Sequence, residues 1–96
     1  MSYPVPVTAF ADHQTVTITS ATFDTVMESG KFYMFSSSVD CYIAQAATPT
    51  ASAGDGSTFV PAGHVTLIDG TIAAKLAVVR DTEDGAATLT PAKFVR

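Results

Sequence analysis

Two histidines, one cysteine and an acidic turn are the residues of this chain best suited to chemistry. Cys41 stands in the run Asp40-Cys41-Tyr42-Ile43. A nucleophilic thiol needs a base and an electropositive setting to hold the thiolate. A carboxylate and a phenol flank this one, so a buried structural thiol is expected. Asp81, Glu83 and Asp84 crowd the turn Asp81-Thr82-Glu83-Asp84-Gly85. Calcium loops alternate oxygen ligands and close on a glutamate; this spacing does neither, and a solvated turn is expected. His13 falls in Asp12-His13-Gln14, read as a turn, and His64 follows Pro61-Ala62-Gly63. A metal site needs three or four convergent ligands, and the sequence does not supply them. It also lacks a Gly-rich phosphate loop, a Ser-His-Asp arrangement and a carboxylate pair at acid–base spacing. These residues predict no enzyme, no cofactor and no metal.

The sharpest enzymatic alternative is a cupin, which the chain resembles in size range and fold class. The second cupin motif runs Gly-Asp, four residues, Pro-x-Gly, two residues, His. Here Gly54-Asp55 precedes Pro61-Ala62-Gly63 by five residues, and His64 directly follows the glycine, two positions early. Strand facing alternates, so such shifts change which way a ligand points. The first cupin motif, which supplies two histidines and a glutamate, is absent. A carbohydrate-binding module is a further alternative. Sugar binders display stacking aromatics; this chain has no tryptophan, and its tyrosines are Tyr3, Tyr33 and Tyr42.

The chain of 96 residues allows one domain, 1–96, and no second core. The hydrophobic content of 47% suffices for a core, whereas the charged content of 15% is low against a typical ~25%. Such a surface fits partial coverage by other protein, or else a Thr/Ser/Ala-rich but exposed exterior. The net charge is −4. Lys31, Lys75, Arg80, Lys93 and Arg96 form no basic run, which argues against nucleic acid and against anionic membrane. With one cysteine, no intrachain disulfide can form. Met1-Ser2-Tyr3-Pro4-Val5-Pro6 lacks the basic and apolar regions of a signal peptide. Synthesis and folding in a reducing cytoplasm are expected, with self-association or docking adding the stability a small core lacks.

Tyr3-Pro4-Val5-Pro6-Val7 cannot be a central strand, because each proline removes a ladder donor. It reads as an extended arm, within residues 1–12, that lies on a neighbouring subunit or frays. Gln14–Ser20 alternates with Val16 and Ile18 on one face, the strongest strand pattern in the chain. Ala21–Met27 reads as a second strand, with a short helix as the alternative. Phe32-Tyr33-Met34-Phe35 is apolar on both faces and is expected to be covered on both. Ser36-Ser37-Ser38 suggests a bulge, or a bend where the chain crosses to a second sheet. Val39–Ala46 should put Cys41 and Ile43 on one face, Tyr42 and Ala44 on the other.

The stretch Ala47–Gly56, built from small residues, should be an exposed mobile loop, or one ordered only by a partner, for want of a large apolar anchor. Thr58–Val60 and His64–Ile68 should be strands hinged on Pro61-Ala62-Gly63. Leu76–Val79 is a continuous apolar run typical of a buried central strand. Pro91 should restrict the last strand, Ala87–Val95, to an edge or a bulge. The fold class is all-β: a single small antiparallel β-sandwich or jelly-roll-like barrel with an extended N-terminal arm.

Four segments, in order, carry a further likeness: Val39-Asp40-Cys41-Tyr42-Ile43, Pro49-Thr50-Ala51, Phe59-Val60-Pro61-Ala62-Gly63 and Lys75-Leu76-Ala77-Val78-Val79-Arg80-Asp81. Together they resemble small β-sandwich structural proteins encoded in the head-gene regions of tailed bacteriophages. Val60 departs from the leucine more typical at that position. The resemblance covers roughly the C-terminal two thirds and implies a virion protein, most simply a capsid decoration or cement protein on the capsid surface. Its implied partner is the major capsid protein; the thin stability margin and the Pro-rich arm separately predict that the arm packs on another subunit, a copy of this chain or the capsid protein, giving a small oligomer, a trimer first, or binding to preassembled shells. Another virion component, connector, tail or fibre domain, is the alternative. The partner-binding residues expected from the arm's own pattern of prolines and apolar residues are Tyr3, Pro4, Val5, Pro6 and Val7.

Overall fold

Strand-forming runs too short to bury both faces alone must stack, and here they stack as two sheets. In the computed structural model, which describes residues 12–53 and 56–92, eight strands follow in order: β1 Asp12–Val16, β2 Ala21–Thr22, β3 Phe32–Ser37, β4 Cys41–Ala46, β5 Thr58–Val60, β6 Thr66–Asp69, β7 Lys75–Arg80 and β8 Gly85–Ala92. One sheet has the order β1-β8-β3-β6, the other β2-β7-β4-β5, and every pairing is antiparallel. Only the β4–β5 connection stays within one sheet. The molecule is thus a β-sandwich of two four-stranded sheets, rather than a closed barrel, and no helix occurs among the described residues.

The core lies between the sheets. Val16, Phe23, Met27, Phe35, Cys41, Val60, Leu76, Val78 and Leu89 are its largest fully buried side chains. Phe23 and Phe35 meet edge to face, centroids 6.1 Å apart at 87°, the arrangement their ring quadrupoles favour. The expected central run Leu76–Val79 is buried throughout, on an interior strand. Cys41 and Ile43 face the core as their alternation requires.

Four expectations need correcting. The strand read as Gln14–Ser20 starts earlier and ends at Val16, so His13 lies in β1 rather than in a turn. Beyond Val16, Thr17 Oγ1 accepts from Thr19 N at 3.2 Å and bends the chain. Arg80 N then takes Thr17 O at 2.9 Å, and Ile18 is left 74% exposed. The stretch Ala21–Met27 is neither a full strand nor a helix. After β2 it runs beside the start of β7, with Phe23 N on Leu76 O and Met27 N on Ala74 O, and Phe23 and Met27 serve as anchors. The strand read as His64–Ile68 is Thr66–Asp69.

Finally, β8 is interior despite Pro91. Gly70 N bonds Lys31 O, and Ser38 N bonds Ala86 O. By alternation, Tyr33 and Pro91 are then a pair whose amide positions point away from each other. The missing N–H therefore faces the β1 side, where described pairing stops at Asp12–Leu89. Proline costs that strand no described ladder bond.

The serines do mark a crossing. Ser37 Oγ donates to Val39 O at 2.8 Å and accepts from Val39 N at 3.2 Å, turning the chain from β3 into the other sheet. Gly70, just past β6, passes so close to backbone that a Cβ there would lie 2.8 Å from Lys31 O; only glycine fits.

Candidate functional site

The residues expected to do no chemistry sit in ordinary settings. Cys41 is fully buried. Burial pushes its thiol above the ordinary value, with the Asp40 carboxylate adding to the rise against a lowering hydrogen bond from Ser37. A thiol held protonated is a poor nucleophile. His64 is exposed, its N–H closing the Pro61 turn at 3.2 Å. His13 Nδ1 lies 3.2 Å from Thr88 Oγ1 on the outside of the β1-β8-β3-β6 sheet. No group of three metal-ligating side chains occurs among the described residues. In the acidic turn, Asp84 pairs with Arg80 at 2.8 Å. A cleft of about 190 Å³ lies beside Asp40, Ala62 and Glu83; the Asp40 carboxylate beside it is already engaged, accepting from Ala62 N at 2.7 Å.

Asp40 instead organises local structure. Its side chain holds the Pro-Ala-Gly turn, and its carbonyl accepts from Asp81 N at 3.0 Å. Gly63 occupies a φ of 74°, which that turn requires, and its N–H bonds Ser37 O at 2.9 Å.

The two outer faces differ. On the β2-β7-β4-β5 sheet, Ala77 and Val79 are covered by the stretch after β4. Ala51 is buried on them, with Tyr42 and Ala44 alongside. Ala51 N donates to Ser20 Oγ at 2.9 Å, Pro49 is buried too, and Tyr42 meets Phe59 edge to face at 5.4 Å. Most described residues of this loop are exposed, as read, but Pro49 and Ala51 dock it onto the sheet, so small residues anchor it where no large apolar residue does. Alanine on alanine lets the backbone approach closely enough to bury it.

The other sheet has no such cover over β3 and β6 among the described residues. Register pairs Met34 with Leu67 and Phe32 with Asp69. Leu67 is 55% exposed, Val65 62%, and Phe32 is also exposed. The expectation that Phe32–Phe35 would be covered on both faces is therefore corrected: Tyr33 and Phe35 are buried, whereas on the outer face Phe32 is 36% exposed and Met34 half-buried. An apolar run can signal a surface patch as well as a buried strand.

β6 and β5 are the edges of their sheets on the same side of the sandwich. Between them opens a gap of about 200 Å³ floored by Ile43, Ile68 and Leu76. Gln45 closes one end, Nε2 donating to Asp69 O at 3.0 Å and lying 3.3 Å from Thr71 Oγ1. This patch and edge form the surface best suited to another protein. Sequence reasoning missed it, because only sheet order shows which strand is an edge. The partner-binding residues expected from sequence, Tyr3, Pro4, Val5, Pro6 and Val7, lie outside the described residues. No protein-family model, curated protein or solved structure matches the chain.

Proposed function

We propose that the chain is a structural protein of a tailed-phage particle, a capsid decoration or cement subunit that binds the major capsid protein as a small oligomer, a trimer first. The observation that carries this reading is the convergence of the four resembling segments. Val39–Ile43 supplies the first half of β4, Phe59–Gly63 most of β5 and its turn, and Lys75–Asp81 the whole of β7. Pro49–Ala51 is the stretch that packs on the outer face of the same strands. Asp40 binds the first segment to the third through Ala62 N and to the fourth through Asp81 N. Segments far apart in sequence thus form one bonded unit, as a shared scaffold would.

A cement subunit works by binding the assembled lattice and stabilising it by mass action, with avidity from many copies. That role needs surfaces rather than a catalytic centre, and the exposed Leu67 edge supplies one. An acidic chain suits an outer surface away from packaged DNA. The test is copy number in purified particles by quantitative mass spectrometry. Hundreds of copies support decoration, a dozen or fewer point to a connector, tail or fibre role, and absence from the particle overturns the proposal.

A further inference from the structure

We infer that residues 47–53 form a releasable strap, which lifts from the outer face of the β2-β7-β4-β5 sheet as a unit while both sheets stay folded, and so uncovers Ala77 and Val79. This goes beyond the proposed function and does not depend on it, because isolated protein suffices for the test.

The strap is held at few points. Pro49 and Ala51 are buried, whereas Ala47, Thr48, Thr50, Ser52 and Ala53 are exposed. Buried residues two apart put one side of an extended stretch on the sheet. Ala51 packs on Ala77 and Val79, and its N–H donates to Ser20 Oγ at 2.9 Å. Ser52 N donates to Ser57 Oγ at 3.1 Å, which ties the strap to its own far end rather than to the face beneath. An alanine methyl and a proline ring bury little apolar area, and every strap residue held in place costs backbone entropy. A segment held this lightly opens at a free energy well below that of global unfolding.

What lies beneath does not need the strap. β7 is interior, paired with β2 on one side and β4 on the other. Leu76 and Val78, on its opposite face, are buried in the core between the sheets. Lifting the strap therefore removes cover from Ala77 and Val79 but no ladder bond from β7. The chain also has room to move at the far end of the strap: nothing lies within 4 Å of where a Cβ on Gly56 would stand.

Release extends an apolar surface. Register sets Tyr42 opposite both Phe59 and Val79, and Ala44 opposite Ala77. Directly opposite residues share a face, so Phe59, Tyr42 and Val79 form one row across β5, β4 and β7. Phe59 is 46% exposed and meets Tyr42 edge to face; Val79, at the other end, is 6% exposed. The strap closes the inner end of a row whose outer end is already open. While it is down, that face offers only its Phe59 end to a contact.

The test is thiol labelling, with the buried Cys41 as an internal clock for opening of the core. Val79→Cys places a second thiol under the strap. With a water-soluble thiol reagent, the introduced thiol is expected to label roughly a hundredfold or more faster than Cys41. Low urea should speed labelling of Cys41 and leave the introduced thiol nearly unchanged, because lifting the strap exposes little surface. Adding Ser20→Ala should speed the introduced thiol about fivefold, the effect of one lost hydrogen bond. In the parent chain, the Ala51 amide should exchange its hydrogen roughly a hundredfold or more faster than the Val78 amide. An introduced thiol that labels in step with Cys41 and shares its urea dependence overturns the inference, as does an Ala51 amide no faster than that of Val78. Fast labelling that Ser20→Ala leaves unchanged would mean that the reagent reaches position 79 with the strap in place, and overturns it too.

Discussion

The two outer faces of this sandwich solve the same problem differently. Each sheet has apolar side chains pointing away from the core. On the sheet built from β2, β7, β4 and β5, the chain supplies its own cover: Ala51 lies on Ala77 and Val79, fastened by Ser20 Oγ. On the other sheet, Leu67 and Val65 stand exposed beside β6, which has no further strand neighbour among the described residues. The difference teaches that burial capacity within a chain is shared between folding and assembly. Coverage by a local loop makes a face part of the domain; an open face beside an open edge makes it available to another protein.

Removing what both sheets rest on should have the largest effect. Phe35→Ala, at the fully buried centre between them, should cost about 3–5 kcal/mol, read as a lower urea midpoint with both faces lost together. Next comes overfilling the covered face. Ala77→Leu should force the loop off or strain the sheet, at about 1–3 kcal/mol, and should raise proteolysis near Ala51. A stabilised Ala77→Leu chain would show that the loop is not packed there. Ser20→Ala leaves Ala51 N without its acceptor and should cost ~1 kcal/mol, measured by thermal denaturation. The smallest effect on folding belongs to the open face: Leu67→Lys should lie within about 0.5 kcal/mol of the parent. A large loss there would mean that Leu67 serves the fold, and the contrast between the faces would fail.

Much of this fold was legible in sequence because it rests on local rules. The run Leu76–Val79 is apolar at every position, and only an interior strand buries both faces of a strand. Gly63 has the positive φ that the Pro61 turn demands, and Cys41 and Ile43 share a face by simple alternation. What sequence did not show depends on partners distant along the chain. Pro91 argued for an edge, yet β8 is interior, because its missing N–H falls past the described end of β1. Ile18 continued a perfect alternation, but Thr17 bends the chain into the other sheet. The place of β6 as the last described strand of its sheet was invisible for the same reason: it is decided by sheet order.

The contrast between the faces is tested most directly by amide hydrogen exchange at Leu67, followed as protein concentration rises. This N–H points to the open edge, whereas those of Ile68 and Val78 lie in ladders or the buried sheet interior. At low concentration Leu67 should exchange freely while Ile68 and Val78 are protected. At concentrations where the chain associates, Leu67 should become protected and the other two should change little. An amide at Leu67 that exchanges equally fast at every concentration, in a chain that nonetheless self-associates, would place the contact elsewhere and contradict the reading of β6 as the assembly edge.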